Sequence, residues 1–268
     1  MLDIALANTD PCALAIAPAF KPREFVPGAM GSGGGSGAAH QVAQTLSLLQ
    51  ARLSPKRRIV HAGDVIYSAG ERFTNLYVLN SGMFKIVSLS ADGREQVVGI
   101  KFRGDWLGLG AIAEGRYTCD ALAMDTGEVW AIDYRQLLAA SASASDTALL
   151  TVLHQAMSRE IAHERDALMS VCTLPADARV AEFLRRWAES LARCGMRTDE
   201  IALRMTRAEI GNYLGMTLET VSRALSRLAR EKLIGFAQKG RRDVQIPDLQ
   251  ALADFVQRCV APQPALLH

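Results

Sequence analysis

Met205-Thr206-Arg207-Ala208-Glu209-Ile210-Gly211-Asn212-Tyr213-Leu214-Gly215-Met216-Thr217-Leu218-Glu219-Thr220-Val221-Ser222-Arg223 is the stretch whose reading decides the fold. Thr206 followed three residues later by Glu209 is a capping-box pattern, in which the hydroxyl caps a helix start and the carboxylate reaches back to the cap. The helix it opens places Ile210, Tyr213 and Leu214 on one apolar side. Gly215-Met216-Thr217 then breaks it, because glycine accepts the left-handed conformation that ends a helix and Thr217 can cap the next one. A second helix is predicted from Leu218 to about Glu231, burying Leu218, Val221, Leu225 and Leu228. Its other face carries Glu219, Ser222, Arg223, Ser226 and Arg227. Thr206–Leu228 therefore reads as a helix-turn-helix, whose second helix enters the major groove of DNA. Arginine pairs bidentately with guanine and glutamate accepts from cytosine N4, so Glu219 and Arg223, four residues apart, suit neighbouring base pairs.

Working outward, Ile234-Gly235-Phe236-Ala237 and Val244-Gln245-Ile246 flank Lys239-Gly240-Arg241-Arg242. This predicts a β-hairpin wing with a basic tip for phosphate. Between Arg204 and Arg242 nine Lys/Arg face three Asp/Glu, in a chain whose net charge is only +2. A basic C-terminal module on a mildly acidic body fits a protein that meets phosphate at one end. The plainer alternative is a helical hairpin with a solvated face and an internal Glu–Arg pair. The capping box, the wing and the upstream helix together weigh against it.

That upstream helix places Leu150, His154, Met157, Ile161, Glu164, Leu168 and Val171 four and three residues apart, a heptad seam of about three heptads. Pro175 ends it. Such a helix calls for a second copy of itself, the alternative being that the stripe packs on the rest of its own chain. Glu164 is its unusual member, since a carboxylate facing its own copy is repulsive and would tune a monomer–dimer equilibrium. A helix over Asp177–Arg193 carries Phe183, Leu184 and Trp187, and a last amphipathic helix spans Asp248–Val256.

From Ile59 to Ile132 glycines at 63, 70, 82, 93 and 104 separate short β-branched or aromatic runs: Val65–Tyr67, Leu76–Leu79, Phe84–Val87 and Val97–Ile100. With an Asp92-Gly93 hairpin turn, they predict an antiparallel barrel or jelly roll. Gln41–Leu53 has the spacing of a leading helix, and Gly31–Gly37 has the composition of a flexible linker. The expected organisation is an arm over 1–40, a β-roll over 41–144, a dimerisation helix over 145–174 and the reading module over 175–268.

Composition bounds the rest. The 268 residues are 49% hydrophobic and 22% charged, as in a globular protein. No apolar run reaches the roughly 18 residues of a membrane helix, and the N-terminus lacks a secretory pattern, so a cytoplasmic protein with no membrane contact is expected. Five scattered cysteines do not make a disulfide framework. A roll-shaped metalloenzyme needs several histidines converging with a carboxylate, and the roll holds His61 alone; His154 and His163 lie on the long helix. No enzymatic activity is expected.

Val78-Leu79-Asn80-Ser81-Gly82 and Gly104-Asp105-Trp106-Leu107-Gly108 in the roll, with Met205–Gly215 in the reading module, resemble the CRP/FNR family of bacterial regulators over about residues 45 to 256. Glu219-Thr220-Val221-Ser222-Arg223 looks like the FNR branch. The resemblance implies an α+β chain: a cyclic-nucleotide-binding-like β-roll, a dimerisation helix and a winged helix-turn-helix. It implies a transcription regulator acting as a homodimer on double-stranded DNA, at a palindrome of TTGAT-like half-sites. Arg223 would meet guanine, Glu219 the cytosine side and Ser222 a thymine. Thr206, Arg207, Thr217, Arg227, Lys239, Arg241 and Arg242 would hold the DNA backbone, and the roll near Asn80–Lys85 would meet RNA polymerase.

The family's two triggers do not carry over. A [4Fe–4S] cluster there sits on four cysteine thiolates, three near the N-terminus and one in the roll. Here the arm has only Cys12, the roll position holds Trp130, and Cys119 is near it in sequence but not at it. Members that bind cyclic AMP use a Gly-Glu-Leu turn and an Arg-Ser pair, where this chain has Gly108-Leu109-Gly110 and Tyr117-Thr118, with Arg116 adjacent. The cofactor is thus unknown, with the four-Cys cluster and cyclic AMP both disfavoured. An oxygen, redox or related signal is expected; haem, nitric oxide, a thiol switch at Cys12 or Cys119, constitutive activity and degenerate cyclic-AMP binding stay open. Against the thiol switch stands the plainer reading of a buried core Cys119 and an idle Cys12. A module that never touches DNA is the remaining rival.

Overall fold

Residues 34–90, 92–142, 147–236 and 243–260 are described by the computed structural model. The chain runs through α1 (Gly34–Leu53), β1 (Lys56–Val60), β2 (Val65–Tyr67), β3 (Asn75–Ser81), β4 (Phe84–Leu89), β5 (Glu95–Lys101), β6 (Trp106–Leu107), α2 (Ala111–Glu114), β7 (Asp120–Ala123), β8 (Gly127–Asp133) and α3 (Tyr134–Ala140). These strands form two four-stranded antiparallel sheets, ordered β1-β8-β3-β6 and β2-β7-β4-β5. Leu79, Phe84, Leu107, Ala121 and Val129 fill the space between them. Leu76, Val78, Trp106, Trp130 and Ile132 form a second cluster with Leu46 and Leu49 of α1 and Leu137 of α3. Burial on both faces explains why Leu76-Tyr77-Val78-Leu79 reads as a continuous apolar run rather than an alternation. The Asp92-Gly93 turn joins β4 to β5, with Gly93 donating to Ser90 O at 2.8 Å.

The predicted long helix is α4 (Ala148–Thr173). Leu149, Leu153 and Ala156 turn inward and join the cluster under α1. The proposed seam lies elsewhere on the helix: Ile161 is 54% exposed and Leu168 63%. His154 and Glu164 are also exposed, while Leu150, Met157 and Val171 are half-buried. The seam stripe is therefore not the face that packs on the roll, although Met157 touches its edge.

After Leu174 and Pro175 the chain enters α5 (Ala176–Arg193), β9 (Glu200–Ala202), α6 (Arg207–Leu214), α7 (Leu218–Arg230), β10 (Gly235–Phe236), β11 (Asp243–Gln245) and α8 (Leu249–Val260). Strands pair in the order β10-β11-β9. Val180, Leu184, Trp187, Ile201, Val221, Leu228, Val244 and Leu252 share one core.

Three expectations need correction. Helix α1 starts at Gly34, inside the glycine run read as linker. Glycine disfavours helix initiation, but a helix already held by buried Leu46 and Leu49 extends at lower cost than one that must nucleate. Leu218 is 45% exposed, because the inner face of α7 starts at Val221 and continues through Ala224 and Leu225. β9 adds a strand to the wing that the sequence reading lacked. Among the described residues no helix is long and apolar enough to cross a membrane.

Candidate nucleic-acid interface

The capping box forms as the sequence implies. Thr206 Oγ1 accepts from Glu209 N at 3.2 Å, and Glu209 Oε2 accepts from Thr206 N at 2.8 Å. Gly215 closes α6 at φ +65°, in the left-handed region. Thr217 then caps α7, accepting from Thr220 N at 3.2 Å. The two helices meet closely at Gly211, where a Cβ would stand 2.6 Å from Met216 O. Only a residue without a side chain fits there.

Val221, Ala224, Leu225 and Leu228 anchor the inner face of α7. Glu219 and Arg223 are exposed, and among the described residues neither has a hydrogen-bond or ion-pair partner. The internal Glu–Arg pair of a plain helical hairpin is therefore not made. Ser222 is half-buried between them, and its carbonyl accepts from Ser226 Oγ at 2.8 Å.

The expected phosphate contacts are less uniform. Thr206 and Thr217 use their hydroxyls as caps. The guanidinium carbon of Arg207 lies 5.9 Å from the Phe236 ring centroid, tying α6 to the wing. Arg227 is exposed but bonded to Asp177 at 2.7 Å and Glu231 at 3.0 Å, which offsets its charge locally. Lys239, Arg241 and Arg242 lie outside the described residues, as does Cys12.

Sequence reading missed Arg179. Its guanidinium donates to Leu174 O through Nη2 at 3.0 Å and to Leu214 O through Nη1 at 2.9 Å. One cation thus meets the end of α4 and the end of α6, where carbonyls lack helical partners. An arginine three residues into a helix gives no sign of this, because both acceptors lie beyond its own helix.

In the roll, Tyr117 and Tyr67 stack with centroids 4.0 Å apart and planes 13° from parallel. Tyr117 Oη donates to Asn75 O at 2.7 Å. A Cβ on Gly108 would approach the Tyr117 ring at 3.1 Å, so the Gly108-Leu109-Gly110 turn lies against it. Burial pushes the Tyr67 and Tyr117 hydroxyls well above the usual phenol range, so both stay neutral. Burial likewise raises the Cys119 thiol, outweighing hydrogen bonds from Tyr67 and Thr118. Trp130 is buried and donates from Nε1 to Glu128 at 2.9 Å, with Arg57 stacked over it at 5.3 Å.

Two family descriptions match the chain: the Crp-like helix-turn-helix domain over residues 178–255 and the cyclic nucleotide-binding domain over residues 57–143. The transcriptional regulatory protein btr of Bordetella pertussis is 33% identical over 198 residues, which is 74% of this chain and 81% of that one. The fumarate and nitrate reduction regulatory protein of Escherichia coli K12 is 31% identical over 200 residues, 75% of this chain and 78% of the relative. Among solved structures, FixK2 from Bradyrhizobium japonicum matches with a TM-score of 0.65 at 27% identity, covering 78% of this chain and 99% of its own.

Proposed function

Because the chain belongs to the CRP/FNR family of transcription regulators and is not an enzyme, we propose that it acts as a homodimer that reads a palindrome of TTGAT-like half-sites. The observation that carries this reading is the open outer face of α7, where Glu219 and Arg223 stand four residues apart, exposed and with no partner among the described residues. Arg223 reads guanine, Glu219 the cytosine side and Ser222 the thymine that separates FNR-type from CRP-type sites. Thr206, Arg207, Thr217 and Arg227, with Lys239, Arg241 and Arg242 of the wing, hold the backbone. Dimerisation uses the α4 stripe of Leu150, His154, Met157, Ile161, Glu164, Leu168 and Val171, supported by the exposure of Ile161 and Leu168 away from the roll. Two reading heads then meet half-sites about one helical turn, ~34–36 Å, apart.

The signal is oxygen, redox state or a related input, read without the family's four-cysteine cluster and without a cyclic nucleotide. Tyr117 supports the second exclusion: where the resemblance sets the family's Arg-Ser pair, this chain has a neutral phenol engaged with Asn75 and no cation. RNA polymerase meets the roll at Asn80–Lys85. Within that surface Asn80 donates to Glu128 and Lys85 is paired with Glu209, leaving Ser81 as an exposed member. The test is Arg223→Ala in a fluorescence-anisotropy titration of the palindrome. Specific affinity is expected to fall by about 1–3 kcal/mol per half-site, with the guanine preference blurred. Unchanged binding to the palindrome and to a guanine-substituted control would remove Arg223 from its role.

A further inference from the structure

Strand β5 is the outer strand of its sheet. The backbone groups it turns away from β4 therefore have no neighbouring strand. Two of them, Val97 N and Glu95 O, are met instead by one side chain of the reading head. Asn212, in α6, accepts from Val97 N through Oδ1 at 2.6 Å and donates through Nδ2 to Glu95 O at 2.8 Å. A primary amide carries the same donor and acceptor as a peptide group, so at Glu95 and Val97 Asn212 pairs with the β5 edge as a residue of another strand would. Gln96 answers by donating its side-chain amide to the backbone carbonyl of Asn212. One turn earlier on α6, Glu209 pairs with Lys85 of β4 at 2.6 Å. Beneath these bonds Met83, Val87 and Val97 of the roll join the same apolar cluster as Ile210 and Leu214 of the head.

We infer that Asn212 is a positioning residue that pins the reading head to the free edge of β5 and fixes the direction in which α7 is presented. The docked arrangement leaves Glu219 and Arg223 exposed and, among the described residues, unpaired, so it holds the head with its reading face open. A palindrome needs two heads at one separation. A head free to swing must be ordered on binding and accepts other separations; a pinned head is ordered beforehand. Asn212 itself is not a base-reading residue. Its effect passes through the placement of Glu219, Ser222 and Arg223. The β4–β5 hairpin is thereby joined to α6 by direct hydrogen bonds, with no intervening element. The DNA arm of this inference rests on the dimeric palindrome reading above.

The experiment uses the full chain, duplexes carrying two TTGAT half-sites at graded separations, and a duplex with a single half-site. Asn212→Ala is the head-side variant; Gln96→Ala, at an exposed position, leaves the helix-turn-helix sequence intact. At the preferred separation Asn212→Ala should lose about tenfold in affinity, with little loss on the single half-site and a flatter dependence on separation. Gln96→Ala should shift in the same direction by less, and the double variant should fall short of the sum, as contacting residues do. Equal losses on single and paired half-sites, or an unchanged separation profile, would overturn the positioning role. If wild-type protein itself shows no preferred separation, the palindrome reading fails, and amide exchange at Val97 then decides the latch. Exchange at least tenfold faster in Asn212→Ala, with α7 still protected, sustains it; an unchanged rate rejects it.

Discussion

Replacing Gly211 by alanine sets two effects of known size against each other. In a helix interior alanine is favoured over glycine by about 1 kcal/mol, so helix propensity alone makes Gly211→Ala stabilising. The local geometry opposes this. The new Cβ would stand 2.6 Å from Met216 O, 3.3 Å from Thr217 C and 3.4 Å from Leu218 N. All three are backbone atoms, so no rotamer change relieves the overlap. The turn must move away from α6, yet it is held there by the bond from Met216 N to Gly211 O at 2.9 Å and by the Thr217 cap that starts α7. Overpacking of this kind costs about 1–3 kcal/mol, and a weakened backbone bond adds about 0.5–1.5 kcal/mol. Subtracting the propensity gain leaves a net destabilisation of about 0.5–3.5 kcal/mol. Urea unfolding followed by far-ultraviolet circular dichroism measures it, and half-site titration shows whether α7 has moved. A variant as stable as wild type, or more so, would refute the argument, since it would mean that the α6–α7 contact yields without cost.

Two further perturbations test other parts of the structure. Glu164→Ala removes a carboxylate that the proposed seam places opposite its own copy, and it should tighten self-association in sedimentation analysis; an unchanged or weaker dimer argues against that seam. Lys85→Met tests the roll side of the head contact through pH. Burial of Glu209 opposes its ionisation, but hydrogen bonds from Lys85 and Thr206 outweigh it and hold the carboxyl below the usual glutamate range. Its contribution is therefore present above the unfolded carboxylate pKa and is lost as pH falls through the lower folded value. In Lys85→Met the folded value should rise, so the loss begins at higher pH. A carboxyl nuclear magnetic resonance titration reads this directly, and a midpoint that stays put shows that Lys85 does not act on Glu209.

What the sequence disclosed follows from the range of the interactions. The capping box, the Gly215 stop and the Thr217 cap each depend on residues within four positions of one another, and all three form as read. The inner and outer faces of α7 follow from helical period alone, apart from Leu218 at its exposed first turn. The roll was legible as a class through its glycines and apolar runs. Its short strands were less so: β6 is two residues long and exists by pairing with β3, not by any pattern of its own. β9 likewise depends on β11, more than forty residues downstream. The contacts that place the reading head were not legible at all. Asn212 sits in a motif where asparagine passes for a neutral helix-surface residue, and its partners are backbone atoms of a distant strand. Backbone donors and acceptors carry no residue identity, so no sequence pattern could announce them.

These distant contacts give the position of α7 two supports besides its own core. Asn212 ties α6 to the edge of the roll, and Arg179 ties the end of α6 to the end of α4. The link between α4 and α5 is only Leu174 and Pro175, both extended, so without Arg179 little but packing would set the angle between the long helix and the head. α4 in turn gives one face to the roll through Leu149, Leu153 and Ala156, and leaves Ile161 and Leu168 uncovered. A shift of α4 against the roll would be felt at Leu214 through one guanidinium, and a shift of the β4–β5 hairpin at Asn212 through one amide. Both residues lie in the last turn of α6, immediately before the Gly215 break that sets the start of α7. A shift of either the roll or α4 would thus reach Glu219 and Arg223 across a single tight turn, and the close fit at Gly211 leaves that turn little room to absorb it.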